Sequence, residues 1–123
     1  MPAWLARIPA GRVAQLSGLV FIPAGLVKFV FHAWELKAFR DFGIPAASLM
    51  EPLVGVLETL GGLLLLRRTL ILPTAVVLAV IMLVAFVAGG LIHGSPIPSD
   101  TLAPALLVAM AYLILTTRRA LRD

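Results

Sequence analysis

The sequence predicts an all-α integral membrane protein. It should be a four-transmembrane-helix bundle with a short amphipathic interfacial helix between helices 1 and 2, both termini being cytoplasmic. Three observations predict this. The chain of 123 residues is 61% hydrophobic and only 13% charged, with a mean hydropathy of +1.06, whereas a soluble domain runs near 45–50% apolar and about 25% charged. Its apolar residues fall into four runs of membrane-crossing scale. Its basic residues gather at alternate ends of those runs.

The spans are expected at about 13–31, 49–66, 70–92 and 102–117, in a single membrane domain covering 1–123. The fourth apolar run, Leu102 to Leu115, is short and borrows Thr116 and Thr117. Turn-forming residues separate the runs: Gly43-Ile44-Pro45 after the first, Arg67-Arg68 after the second, and Gly94-Ser95-Pro96-Ile97-Pro98 after the third. Pro23 should kink the first helix, while Pro73 falls in a first turn that tolerates it. Arg7 and Arg12 followed by an apolar run look superficially like a signal peptide. The run is too long for one and no A-x-A cleavage site follows, so it reads as a retained first span.

Arg7 and Arg12 precede span one, Arg67 and Arg68 join spans two and three, and Arg118, Arg119 and Arg122 follow span four. The opposite side holds only Lys37 and Arg40 beside Glu35 and Asp41. Orientation is therefore expected to be multi-pass with both termini inside. Between spans one and two, the segment 32–45 begins HAWELKAFRDF. Phe31, Trp34, Ala38 and Phe42 recur there at helical spacing among charged residues. Such a helix lies in the interface with Trp34 at headgroup level.

Composition also excludes functions. The chain has no cysteine, so disulfides, thiolate metal sites and iron–sulfur clusters are out. The net charge of +4 is spent on topology, and no nucleic-acid motif accompanies it; the expected partner is the lipid bilayer. No catalytic triad, phosphate-binding loop or metal spacing appears. Paired histidines can ligate haem, but His32 and His93 fall at outer helix ends, where solvated caps are the better reading; no metal is expected.

The candidate site follows from helical faces. On span two, Glu51, Gly55, Glu58 and Gly62 share one face. Span one offers Ala14, Gly18, Phe21, Gly25, Lys28 and His32. Span three offers Ala75, Ala79, Met82, Phe86, Gly89 and His93, and span four Ala105, Ala109, Tyr112 and Thr116. Small residues let helix backbones approach, and polar ones must avoid lipid. Packing explains the glycines but not Glu58, a carboxylate about 13 Å from either membrane surface.

Lys28 lies about 4–5 Å below the outer end of its span. Side chains lean toward their own helix N-terminus, so Lys28 and Glu58, on oppositely directed helices, lean toward one another. They are the expected ion pair, or hydrogen-bonded neutral pair, and the candidate acid and charge partner; the alternative for Lys28 is to snorkel to the headgroups. Glu51 should meet Lys28 or His93. The expected ligand-lining set is Glu51, Phe21, Gly25, Gly55, Met82, Phe86, His93 and Tyr112.

The order Gly18, Phe21, Gly25, Lys28 (SGLVFIPAGLVKF), then Phe39, Gly43, Pro45 (AFRDFGIP), then Glu58, Gly61, Gly62 (LETLGGLLLL) resembles the DoxX family of small four-helix bacterial membrane proteins. The resemblance covers roughly residues 12–95. One departure is the turn Arg67-Arg68-Thr69, where the family commonly has a glycine. The resemblance implies the bacterial cytoplasmic membrane and an association with quinone-linked oxidoreductase complexes, the wider group including thiosulfate:quinone oxidoreductase subunits and chaperone-like membrane proteins. By position, Lys28 and Glu58 match the family's charged residues in helices one and two.

Three functions fit these residues. The first is an accessory subunit of a membrane redox complex, with quinone contacting an intramembrane lipophilic pocket and a redox enzyme as partner. The second is an isomerase or cyclase in which a buried, protonated Glu58 acts as general acid on a lipophilic substrate. The third is a structural or assembly protein in which the pair only locks helices. A transporter would need a homo-oligomer to build its pathway, and the chain shows no inverted repeat.

Overall fold

The computed structural model describes residues 9–41, 43–88 and 102–122. Among them the chain forms five helices and no strand: α1 (Ala10–Val30), α2 (His32–Asp41), α3 (Ala47–Leu66), α4 (Ile71–Ala85) and α5 (Leu102–Arg122). Residues 86–88 prolong α4 in a wider, π-type turn, giving an apolar helix over Ile71–Ala88. By length and composition, α1, α3 and this extended α4 can each cross a membrane. The third expected span is described only to residue 88; 89–92 lie outside the described residues, as do Gly89, His93 and Phe42. The expected interfacial segment is helical over its first ten residues.

Local chemistry sets the breaks. α1 starts where Pro9, extended at φ −73° and ψ 120°, offers its carbonyl to the N–H groups of Arg12 (3.1 Å) and Val13 (3.2 Å). Its end is a single residue, Phe31, at φ −112° and ψ 46°, which redirects the chain into α2. α2 closes with paired bonds from Gly43 N–H to the Arg40 carbonyl and from Ile44 N–H to the Phe39 carbonyl, both 3.1 Å. This is the Schellman arrangement, which needs a left-handed residue. Gly43 supplies it at φ 74°, and nothing lies within 4 Å of where its Cβ would be, so backbone freedom is what this glycine contributes.

α3 ends in the same way without a glycine. Arg68 N–H bonds the Leu65 carbonyl and Thr69 N–H the Leu64 carbonyl, both at 3.0 Å. The left-handed position falls on Arg68 (φ 58°), and Leu70 (φ 50°) is left-handed as well. A residue with a Cβ gives up about 1 kcal/mol in that conformation. The Arg67-Arg68-Thr69 turn is therefore strained.

Two helix pairs make the bundle. α1 packs most extensively on α3 and α4 on α5, while lesser contacts join α3 to α4 and α1 to α5; α2 rests on α3 and α1. The core holds Phe21, Leu65, Leu78, Met82, Leu106, Met110 and Leu113 with small alanines between them. Outside it, large apolar side chains face outward: Leu16 and Leu19 on α1, Leu53 and Leu60 on α3, Val80 and Leu83 on α4, Val108 and Leu115 on α5. Apolar surface this continuous marks contact with lipid rather than water.

One expected face is corrected. On α5, Ala105 is exposed and Ala109, Tyr112 and Thr116 are half-buried, whereas Ala103, Leu106, Met110 and Leu113 point inward. Alanines occur around its apolar part, Leu102 to Leu115, and no glycine or charged residue there marks a side, so α5 turns Leu106, Met110 and Leu113 inward. Thr116 satisfies its hydroxyl locally, donating to the Tyr112 carbonyl at 2.9 Å.

Candidate functional site

The site is built on the seam between α1 and α3, where glycines bring two antiparallel backbones together. A Cβ added to Gly18 would lie 2.5 Å from the Gly62 carbonyl oxygen and 2.9 Å from Leu66 N. One added to Gly25 would strike Thr59 Oγ1 and lie 2.6 Å from the Gly55 carbonyl oxygen. On the opposite wall, Gly62 would meet Ile22 N at 2.9 Å, and Gly55 would meet Lys28 Cβ at 3.0 Å. No side chain fits at Gly18 or Gly25 without moving backbone. Small residues at a helix interface permit this approach and the dispersion contacts it brings.

Gly55 admits the stem of Lys28 onto α3. From there the ammonium reaches Glu58: Lys28 Nζ lies 2.8 Å from Glu58 Oε1, with the lysine side chain 12% exposed and the glutamate 3%. The contact is a buried ion pair in which the Lys28 ammonium is the partner of Glu58 Oε1. Lys28 also donates weakly to the Ala24 carbonyl at 3.4 Å. The lysine thus turns inward instead of snorkelling to headgroups.

Glu51, further along the same face, is fully buried. Glu51 Oε2 sits 2.6 Å from Nδ1 of His32, the first residue of α2; of its two expected partners, Lys28 pairs with Glu58 instead and His93 lies outside the described residues. The break at Phe31 swings α2 over the start of α3 and carries His32 to Glu51. His32 remains half exposed while Glu51 is sealed, so the pair joins the outer surface to the interior. Oε1 of Glu51 has no hydrogen-bond partner among the described residues.

The remaining expected lining residues divide. Phe21 and Met82 are buried in the shared core, with Phe86 half-buried beside it. Gly25 and Gly55 belong to the seam itself. Tyr112 is half-buried on α5, and His93 lies outside the described residues. Sequence reasoning missed Thr59, which donates to the Gly55 carbonyl at 2.7 Å and presses against Gly25; its signal was a hydroxyl next to Glu58, one position off the chosen stripe. Among the described residues, no cluster of three or more His, Asp or Glu side chains could hold a metal ion.

A model of the DoxX family matches residues 10–91, the segment that contains the whole α1–α3 seam and both carboxylates. The chain belongs to the DoxX family. No curated protein and no solved structure matches it. As a DoxX protein with several apolar helices it is a membrane protein in contact with lipid.

Proposed function

We propose that this DoxX protein is an accessory subunit of a quinone-linked oxidoreductase system, and that its polar seam receives the head of a lipophilic quinol or quinone. In this reading α5 is a fourth span, and both termini face the cytoplasm of a bacterial cell. The observation that carries the reading is the buried Lys28–Glu58 pair itself, an ammonium 2.8 Å from Oε1 of a carboxylate only 3% exposed. A carboxylate has more acceptor sites than one ammonium fills, and a quinol hydroxyl is a donor that an apolar molecule can bring to that depth. The same site suits the oxidised form, because Lys28 can donate to a ring carbonyl.

A quinone supplies two-electron chemistry, and a partner enzyme would exchange the electrons with it. The chain's own part is to bind, orient and handle protons. Glu58 accepts from a hydroxyl, and Lys28 holds the carboxylate in place. Glu51 is about 10 Å further along the helix axis, too far to share the same ring oxygen, and sits where His32 can exchange protons with the outside.

A second reading has its own support. The glycine seam flanks the ion pair on both sides, as expected if the pair only fixes α1 against α3. Quinone extracted from detergent-purified wild type and Glu58→Gln separates the two. Ligand binding predicts near-stoichiometric quinone in wild type and at least about tenfold less in the variant, with helicity unchanged. A helix lock predicts no quinone in either and a lower melting temperature in the variant.

A further inference from the structure

At the end of the bundle remote from Glu51, an arginine occupies a backbone position that suits glycine, and a glycine makes room for it. Arg68 is left-handed at φ 58°, and its side chain lies across α1 at Gly11: a Cβ there would be 3.3 Å from Arg68 Cδ and 3.4 Å from Nη1. Any larger residue at 11 would crowd that guanidinium. Arg12 is the next residue on α1 and Arg67 precedes Arg68, so three exposed arginines lie at the same end of the bundle, at the α1 start and the α3–α4 turn.

Nothing acidic neutralises them among the described residues. The ion pairs there are Lys28–Glu58, His32–Glu51 and Lys37–Asp41, and the nearest acid along α3, Glu58, is about 13 Å away and already paired. Two helix starts add to the positive field, since α1 and α4 begin here with no acid in the first turn and no side-chain cap. Immediately alongside, Leu16, Leu63 and Leu70 are exposed apolar surface. Strain kept in place without an evident packing reason points to use of the side chain.

We infer that Arg12, Arg67 and Arg68 form a binding site for the headgroup of an anionic phospholipid, whose acyl chains lie on the exposed leucines beside it. A phosphodiester matches the arginine fork. The apolar flank selects a lipid over free phosphate or an acidic protein, because only the lipid brings charge and hydrocarbon to the same place. Basic clusters at helix ends attract anionic lipids in just this setting. The site is separate from the Lys28–Glu58 seam and does not depend on what that seam binds.

The test is native mass spectrometry of the full chain released from nanodiscs of equal phosphatidylcholine and phosphatidylglycerol. Wild type is expected to retain phosphatidylglycerol at least fivefold over phosphatidylcholine. Arg68→Gly removes the guanidinium while relieving the backbone, so it should lose most of that preference and melt at a higher temperature. Arg67→Gln with Arg68→Gln should bring the two lipids level. Equal retention of both lipids by wild type would overturn the inference, as would an unchanged preference in folded Arg68→Gly. Displacement of phosphatidylglycerol by millimolar inorganic phosphate would also count against it, by showing that the chains contribute nothing.

Discussion

The two helix pairs of the bundle are held together by different physics. α1 and α3 meet backbone to backbone at Gly18, Gly25, Gly55 and Gly62, and every buried ionic contact among the described residues involves a residue of α3. α4 and α5 meet through Leu78, Met82, Leu106, Met110 and Leu113, with no charge between them. One pair is a narrow polar seam and the other a filled apolar layer. Close backbone approach leaves little room for lipid tails, so it is the seam that can shelter carboxylates.

The largest expected effect comes from breaking the seam's charge balance. Lys28→Met leaves Glu58 buried without its cation and should cost about 3–5 kcal/mol, seen as a loss of reversible unfolding in mild detergent. Adding Glu58→Met should recover most of that, because an apolar pair of similar volume is often neutral in a low-dielectric interior. If the single and double variants were equally unstable, charge pairing would not be what Lys28 contributes.

The next effect compares two glycines. Gly25→Ala puts a methyl against Thr59 and the Gly55 carbonyl, and should destabilise by about 1–3 kcal/mol. Gly61→Ala meets the Leu78 side chain first, Cδ1 at 3.1 Å and Cδ2 and Cγ at 3.3 Å. It should fall within about 1 kcal/mol of wild type, since the gain in helix propensity offsets a small side-chain adjustment. Equal melting temperatures for the two would erase the distinction between seam and layer.

The smallest effect lies outside both pairs. Arg68→Gly should stabilise by about 0.5–1 kcal/mol, measured as a rise in thermal midpoint in uncharged detergent. No rise would show that the left-handed turn stores no strain.

The seam was legible in the sequence because glycines and ionisable residues are rare in apolar runs and mark one side of a helix. Steps of three and four then placed Glu51, Gly55, Glu58 and Gly62 together, and the lean of side chains toward helix N-termini paired Lys28 with Glu58. α5 was illegible for the opposite reason. Its alanines at 103, 105, 109 and 111 surround the helix, and only packing against α4 decides which stripe turns inward. The His32–Glu51 contact depended on the backbone angles of one residue, Phe31, which no periodicity encodes.

The central claim is that the Lys28–Glu58 seam is a ligand site and not only a lock between helices. Its most direct test is quinone content in the folded Lys28→Met/Glu58→Met double variant, purified in parallel with wild type. The account predicts a stable bundle that has lost its bound quinone. A double variant that keeps wild-type quinone would contradict it.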